Sequence, residues 1–246
     1  MRDIQWLLDN VERYKNATVQ KRLKSKKNTV AYVVLKGQPR VLKWFVPGLK
    51  QNMETEYTIL KRGCSHLSIP SPFEKDTENN VLILSYFQGE NVCDLLNNVQ
   101  TPGVMKEQVV DVLADWFVLF HTFFKTDERF RIRGDATLRN FIYQKGHIWG
   151  VDFEESRNGK PGEDLGTLCA SLLSTDPMFT QEKVTLCRRF LDHYRSTAKW
   201  TIENINTEIS YALLERIQWR AADEALLRKY ATNIRTKGLQ AAQLIS

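Results

Sequence analysis

Nothing in this chain approaches the roughly 20 consecutive apolar residues that a membrane-spanning helix requires. The strongest candidate, around 114–124, is interrupted by Asp115 and His121. The N-terminus, Met1-Arg2-Asp3-Ile4-Gln5-Trp6, lacks the charged-then-apolar order of a secretory leader. Cysteine is scarce and dispersed. Cys64, Cys93, Cys169 and Cys187 contain no Cys-x-x-Cys pair, which argues against a zinc site or a disulfide framework. Buried core thiols in a reducing compartment are the expectation. Internal repeats and low-complexity tracts are also missing. These absences leave a soluble, cytoplasmic globular protein as the expectation.

What is present fits that class. The 246 residues suffice for one large domain or two small lobes, and 42% hydrophobic with 26% charged content is ordinary for a globular chain. The net charge of +6 is concentrated locally, with Lys21, Arg22, Lys24, Lys26 and Lys27 inside seven positions. Such a run commonly forms a solvated hairpin face. The alternative is attraction of a polyanion, which would make this hairpin a contact for a nucleic acid or protein partner.

Hydrophobic periodicity divides the chain near 88–91. A short helix within the first fifteen residues precedes three strand-like segments, Ala17 to Leu23, Thr29 to Leu35 and Arg40 to Phe45, with a turn at Lys36-Gly37-Gln38-Pro39. A helix from Gln51 to Arg62 ends at Gly63, and two more strands follow at Ser71 to Asp76 and Val81 to Phe87. Beyond Gly89 the pattern is mainly helical: Val104 to Phe124, Leu165 to Leu173, Thr180 to Ser196 and one long helix from Asn204 to Tyr230. A loop and hairpin occupy Arg131 to Glu155. The expected domains are therefore a β-rich lobe over 1–89 and a helical lobe over 90–246.

The chemistry concentrates in that loop. Arg133-Gly134-Asp135-Ala136-Thr137-Leu138-Arg139-Asn140 sets Asp135 and Asn140 five positions apart, and Asp152 follows Asn140 by twelve, across a hairpin turning at Lys145-Gly146. Phosphoryl transfer needs a carboxylate to orient an acceptor hydroxyl and take its proton, and hard oxygen ligands to hold magnesium against phosphates. Asp135 suits the first task; Asn140 and Asp152 suit the second.

These residues resemble the catalytic and metal loops of the protein-kinase superfamily, where Asp-x-x-x-x-Asn precedes Asp-Phe-Gly. The form here, Gly-Asp-x-x-x-x-Asn followed by Val151-Asp152-Phe153-Glu154, is similar to the aminoglycoside-phosphotransferase and choline-kinase-like branch. The resemblance spans roughly residues 19–194. It implies an α+β, bilobal protein-kinase-like fold: a five-stranded antiparallel sheet with one helix, then a mainly helical lobe. It implies ATP, with Mg or Mn, as cofactors. It also implies that Lys43 on the third strand contacts the α- and β-phosphates, held by Glu56 on the following helix, with Glu54 as the competing choice. Ser85, Tyr86 and Phe87 would form the hinge that receives adenine. Asp164, in Gly162-Glu163-Asp164-Leu165, would prop the catalytic loop from a helix start. His121 is expected to be a packed or capping histidine, and the tryptophans Trp6, Trp44, Trp116, Trp149, Trp200 and Trp219 to be core or partly buried rather than a base-stacking platform.

The chain departs from that pattern in four places. The loop at 23–29 has no glycine and presents Asn28 instead, as in aminoglycoside kinases. Arg133 stands where a packing histidine is usual. Asp-Phe-Glu replaces Asp-Phe-Gly. Only eleven residues separate Asp152 from Asp164, too few for a long activation segment with a peptide platform. The expected function is therefore transfer of the ATP γ-phosphate to a hydroxyl of a small-molecule acceptor. Arg216 and Arg220, at i, i+4 on the last helix, either pair with Glu215 and Asp223 on the surface or select an anionic acceptor. Two alternatives stand beside this reading. One is an atypical Ser/Thr protein kinase or ATPase of a protein or tRNA-modification complex, on resemblance to the KEOPS, Kdo and RIO kinases; Leu172-Leu173-Ser174-Thr175-Asp176-Pro177 resembles a KEOPS-kinase segment. The other is a catalytically silent nucleotide-binding scaffold.

Overall fold

Strand-forming residues in alternation build the first sheet, and the computed structural model describes residues 3–127 and 129–240. Met1, Arg2, Glu128 and the end of the expected second lobe, 241–246, lie outside the described residues. The chain separates into two compact units: Met1–Gln88 with Asp152–Glu155, and Gly89–Val151 with Ser156–Ser246.

The first unit opens with helix α1 (Ile4–Asn10), whose Ile4, Leu7 and Leu8 are buried. Strands β1 (Thr18–Leu23), β2 (Thr29–Leu35) and β3 (Gln38–Trp44) follow. Strand β2 alternates between buried and half-exposed positions, as a half-buried strand must. It joins β3 through Lys36 and Gly37, both at positive φ (51° and 73°), the geometry of a two-residue hairpin turn. That tight turn pairs Leu35 with Gln38, so β3 begins two residues before its expected start. Helix α2 (Lys50–Gly63) buries Met53, Glu56, Ile59 and Leu60 along one face. Strands β4 (Pro72–Asp76) and β5 (Val81–Ser85) complete an antiparallel sheet of order β1-β2-β3-β5-β4. Lys43 lies on its central strand, between Val30 of β2 and Leu82 of β5. Within the basic hairpin, Arg22 pairs with Asp3 at 2.9 Å and Lys27 pairs with Glu155.

The second unit begins with the short β6 (Glu90–Asn91) and α3 (Val92–Asn97), capped by the Asn91 side chain. The long α4 (Gly103–Phe124) buries Val109, Leu113, Trp116, Phe117, Phe120 and Phe124. Strand β7 (Phe130–Ile132) pairs later with β10 (Arg157–Gly159), while β8 (Phe141–Gln144) and β9 (His147–Gly150) form the hairpin. Helices α5 (Pro161–Leu173), α6 (Gln181–Thr197), α7 (Ile205–Glu215) and α8 (Glu224–Lys237) follow; α6 packs on α4 and α7 on both α5 and α8. No helix among the described residues is long and apolar enough to cross a membrane.

Two expectations need correction. The single helix over 204–230 is broken: α7 ends at Glu215, 3-10 turns occupy Arg216–Trp219 and Ala221–Asp223, and Arg220 has extended φ and non-helical ψ (−136°, 51°). Arg216 and Arg220 consequently do not share a helix face. No glycine or proline marks the break. Arg220 secures it by pairing with both Asp176 (2.9 Å) and Asp223 (2.7 Å). Trp6 and Trp219, expected to be core or partly buried, are mostly exposed at 57% and 60%, and Trp6 stacks on the buried Trp44.

Candidate active site

In the first unit, one buried cation organises three carboxylates. Lys43 Nζ donates to Glu56 Oε2 at 2.6 Å and Asp152 Oδ1 at 2.6 Å, and pairs with Glu154 Oε2 at 2.9 Å. Central placement in the sheet buries the lysine, which is 4% exposed. A buried ammonium needs such partners, because an unpaired one would cost several kcal/mol, on the order of the penalty for moving an ion out of water. Burial disfavours the charged form of Lys43, but Glu56, Asp152 and Glu154 outweigh it and raise its pKa well above the usual value. Glu56 is pushed up to about 7 by burial, against the pull of Lys43 and with the repulsion of Asp152 and Glu154.

Glu56 has a second task. Its Oε1 accepts the Phe153 backbone N–H at 3.3 Å, so one glutamate on α2 fixes both the lysine and the Asp152-Phe153 segment. Phe153 is fully buried, and Asp152 is held at positive φ (65°) with its side chain 40% exposed. The competing Glu54 is turned away and pairs with Lys75 at 2.9 Å. Glu154 is the residue that sequence reasoning passed over. Its buried carboxylate accepts from Asn28 Nδ2 at 2.5 Å, and Asn28 Oδ1 accepts the Val46 N–H at 3.4 Å. The glycine-free loop between β1 and β2 is thereby anchored by side chains. Glu56, Asp152 and Glu154 bring oxygens within 4.8 Å of one another, and the Lys43 ammonium is the cation they share; of the three side chains only that of Asp152 is substantially exposed.

The residues expected to receive the base lie at the end of β5, with Ser85 its last residue. Ser85 N–H donates to Ser71 O at 3.0 Å and its Oγ accepts the Ser71 N–H at 2.9 Å. Tyr86 stacks on Tyr32 of β2, with ring centroids 4.0 Å apart, and Phe87 lies just past the strand end.

In the second unit, the loop carrying Asp135 is held from behind. Asp164, 1% exposed near the start of α5, accepts the N–H groups of Arg133 (2.7 Å) and Gly134 (3.1 Å) and contacts His121 Nε2 at 3.1 Å. His121 Nδ1 also lies 2.9 Å from Tyr194 Oη, and with no exposed surface His121 is a buried packing residue. Ser171 Oγ, also on α5, accepts the Leu138 N–H at 3.1 Å. Arg133 occupies the packing position directly: 1% exposed, it lies 4.6 Å over the Phe141 ring and donates to Val151 O at 2.5 Å. Its approach depends on Gly150, where a Cβ would fall 2.8 Å from Arg133 Nη1 and 2.4 Å from the Trp116 ring. Asn140 turns back on the aspartate, donating Nδ2 to Asp135 O and Oδ2, both at 3.0 Å. Val151 N–H donates to Asn140 O at 2.9 Å, which fixes the chain immediately before Asp152.

Asp164→Ala is expected to strand two buried backbone donors and the imidazole, and to cost about 2–4 kcal/mol in urea unfolding. A loss well under about 1 kcal/mol would mean that the loop does not depend on this carboxylate.

No known family model matches the chain, and no curated protein resembles it in sequence at a significant level. Solved structures do resemble it. Choline kinase LicA from Streptococcus pneumoniae superimposes with a TM-score of 0.64 at 15% identity, covering 97% of this chain and 99% of that one. Aminoglycoside phosphotransferase APH(4)-Ia gives 0.65 at 11% identity, covering 97% of each. A ternary complex of streptomycin, ATP and APH(2")-IIa gives 0.59 at 12% identity, covering 99% and 98%. The chain therefore shares the fold of these choline kinase and aminoglycoside phosphotransferase structures over nearly its whole length.

Proposed function

We propose that this protein is a phosphotransferase that moves the γ-phosphate of ATP to a hydroxyl group of a small molecule. The observation that carries the reading is the Lys43–Glu56–Asp152 constellation on a fold shared with choline and aminoglycoside kinases. In this reading Lys43 binds the nucleotide phosphates, and Ser85, Tyr86 and Phe87 form the strip that receives the base. Asp152 and Asn140 hold magnesium, whose charge offsets that of the transferring phosphoryl group. Asp135 accepts the proton of the acceptor hydroxyl, with Asn140 fixing its rotamer.

A small acceptor is favoured over a peptide because of what lies between Asp152 and Asp164. Those eleven residues are consumed by the end of the metal loop, strand β10 and the first turn of α5, leaving no segment to bind an extended chain. The streptomycin complex and choline kinase among the structural neighbours agree with a small acceptor.

The reading is tested by nucleotide-dependent thermal stabilisation of wild type and Asp152→Asn, with ATP or GTP and with magnesium, manganese or EDTA. Metal-dependent stabilisation in wild type, reduced about tenfold or more in apparent affinity by the substitution, is expected from loss of a charged metal ligand. Equal stabilisation of both proteins, with or without metal, would remove Asp152 from the site.

A further inference from the structure

Two arginines flank the break between α7 and α8, and they differ in one respect. Arg220 is neutralised by Asp176 and Asp223. Arg216 is not: its Nε is buried without a hydrogen-bond partner, and no carboxylate among the described residues forms an ion pair with it. Burial lowers its affinity for the proton, and its strongest favourable charge partner is Asp135. The packing explains the juxtaposition. Helix α5 holds the Asp135 loop through Asp164 and Ser171, α7 packs along α5, and Arg216 follows directly on the last residue of α7. Arg216 is also in electrostatic range of Cys93 at the start of α3, and the neighbouring Asn91 donates Nδ2 to Arg139 O on the same loop.

A buried guanidinium nitrogen without a partner is a standing cost, and native chains keep few of them. The group is planar, permanently charged and shaped for an oxyanion. Beside the proposed base it would repel an amine-rich acceptor and attract an anionic one.

We propose that Arg216 is the anchor of an oxyanion subsite, so that the acceptor is a hydroxyl compound that also bears a carboxylate or phosphate group. The term acceptor rests on the phosphotransferase reading; the anion subsite does not. Arg216 positions the acceptor by its charged end while its hydroxyl meets Asp135.

The test uses the full chain saturated with magnesium and a non-hydrolysable ATP analogue, so that added anions cannot report on the nucleotide site. Inorganic phosphate and malonate, each compared with sodium chloride at equal ionic strength, probe the phosphate and carboxylate forms of the subsite by thermal shift. At least one is expected to stabilise wild type specifically. Arg216→Gln should weaken that stabilisation at least about tenfold in apparent affinity, the usual worth of a charge-assisted bond, while the exposed Arg188→Gln should not. Without anion, Arg216→Gln should melt at or above the wild-type temperature, because it removes a half-buried cation that makes no ion pair among the described residues and leaves its Nε without a hydrogen-bond partner. Three results would overturn the proposal: a melting temperature well below wild type, anion stabilisation that survives in Arg216→Gln, or no specific stabilisation of wild type by either anion. Failure of the analogue itself to stabilise the protein, with the Arg216-dependent anion effect intact, would instead count against the phosphotransferase reading alone.

Discussion

Asp135→Asn is expected to lower kcat for ATP turnover by roughly 10²–10⁴-fold, the usual contribution of a positioned general base, while nucleotide binding stays close to wild type. The substitution is nearly isosteric. Asn140 Nδ2 donates to Asp135 O and Oδ2, and an amide oxygen in place of the carboxylate can still accept that bond. Asp164 and Ser171 hold the loop through backbone N–H groups that the substitution does not touch. What disappears is the capacity to take a proton and a negative charge that favours the charged form of Arg216. Steady-state ADP release and nucleotide thermal shift, measured on one preparation, separate the two effects. Near-wild-type turnover would take the base role from Asp135.

Lys43→Met is expected to be the most damaging single substitution in the first unit. It leaves Glu56, Asp152 and Glu154 crowded together without their common cation, and breaking a buried ion pair on one side typically costs about 3–5 kcal/mol. The cost should depend on pH. Glu56 already binds a proton more tightly than an ordinary glutamate, at about 7. A carboxylate whose folded pKa is raised contributes stability that is fully present below its unfolded value and is lost as pH rises through the folded one. Removing Lys43 takes away the interaction that opposes the rise, so the variant's deficit should be largest above pH 7 and shrink towards pH 5. Urea titrations of both proteins at pH 5 and 8 measure this. A deficit that is small, or that grows on acidification, would mean that the carboxylates do not depend on Lys43. In the variant as it folds near pH 5, a weakened apparent affinity for ATP is also expected.

The sheet was largely legible in the sequence because β-branched residues in alternation over 29–35 and the apolar run at 81–85 have few other uses. The preference for Glu56 over Glu54 was legible in the helical period: Glu56 is three residues after Met53 and four before Leu60, both buried, and Glu54 is off that face. The role of Glu154 was beyond sequence reasoning. Its clamp on Asn28 spans 126 positions, and no local pattern announces so distant a hydrogen bond. The break after Glu215 was hidden for a different reason. Arg-Ile-Gln-Trp-Arg-Ala-Ala-Asp over 216–223 contains no helix-breaking residue, and propensity gives way there to the tertiary pairing of Arg220 with Asp176. That break sets Arg216 apart from Arg220, and with it the expectation for the acceptor.

The most direct measurement of the central claim follows the γ-phosphate itself. The protein is incubated with γ-labelled ATP, magnesium and a pool of hydroxyl-bearing metabolites, anionic and neutral, and the label is traced by chromatography and mass. Label appearing on a small molecule, dependent on magnesium and lost in Asp135→Asn, is the predicted result. Label remaining on ATP, released only as inorganic phosphate, or transferred to protein would contradict the account.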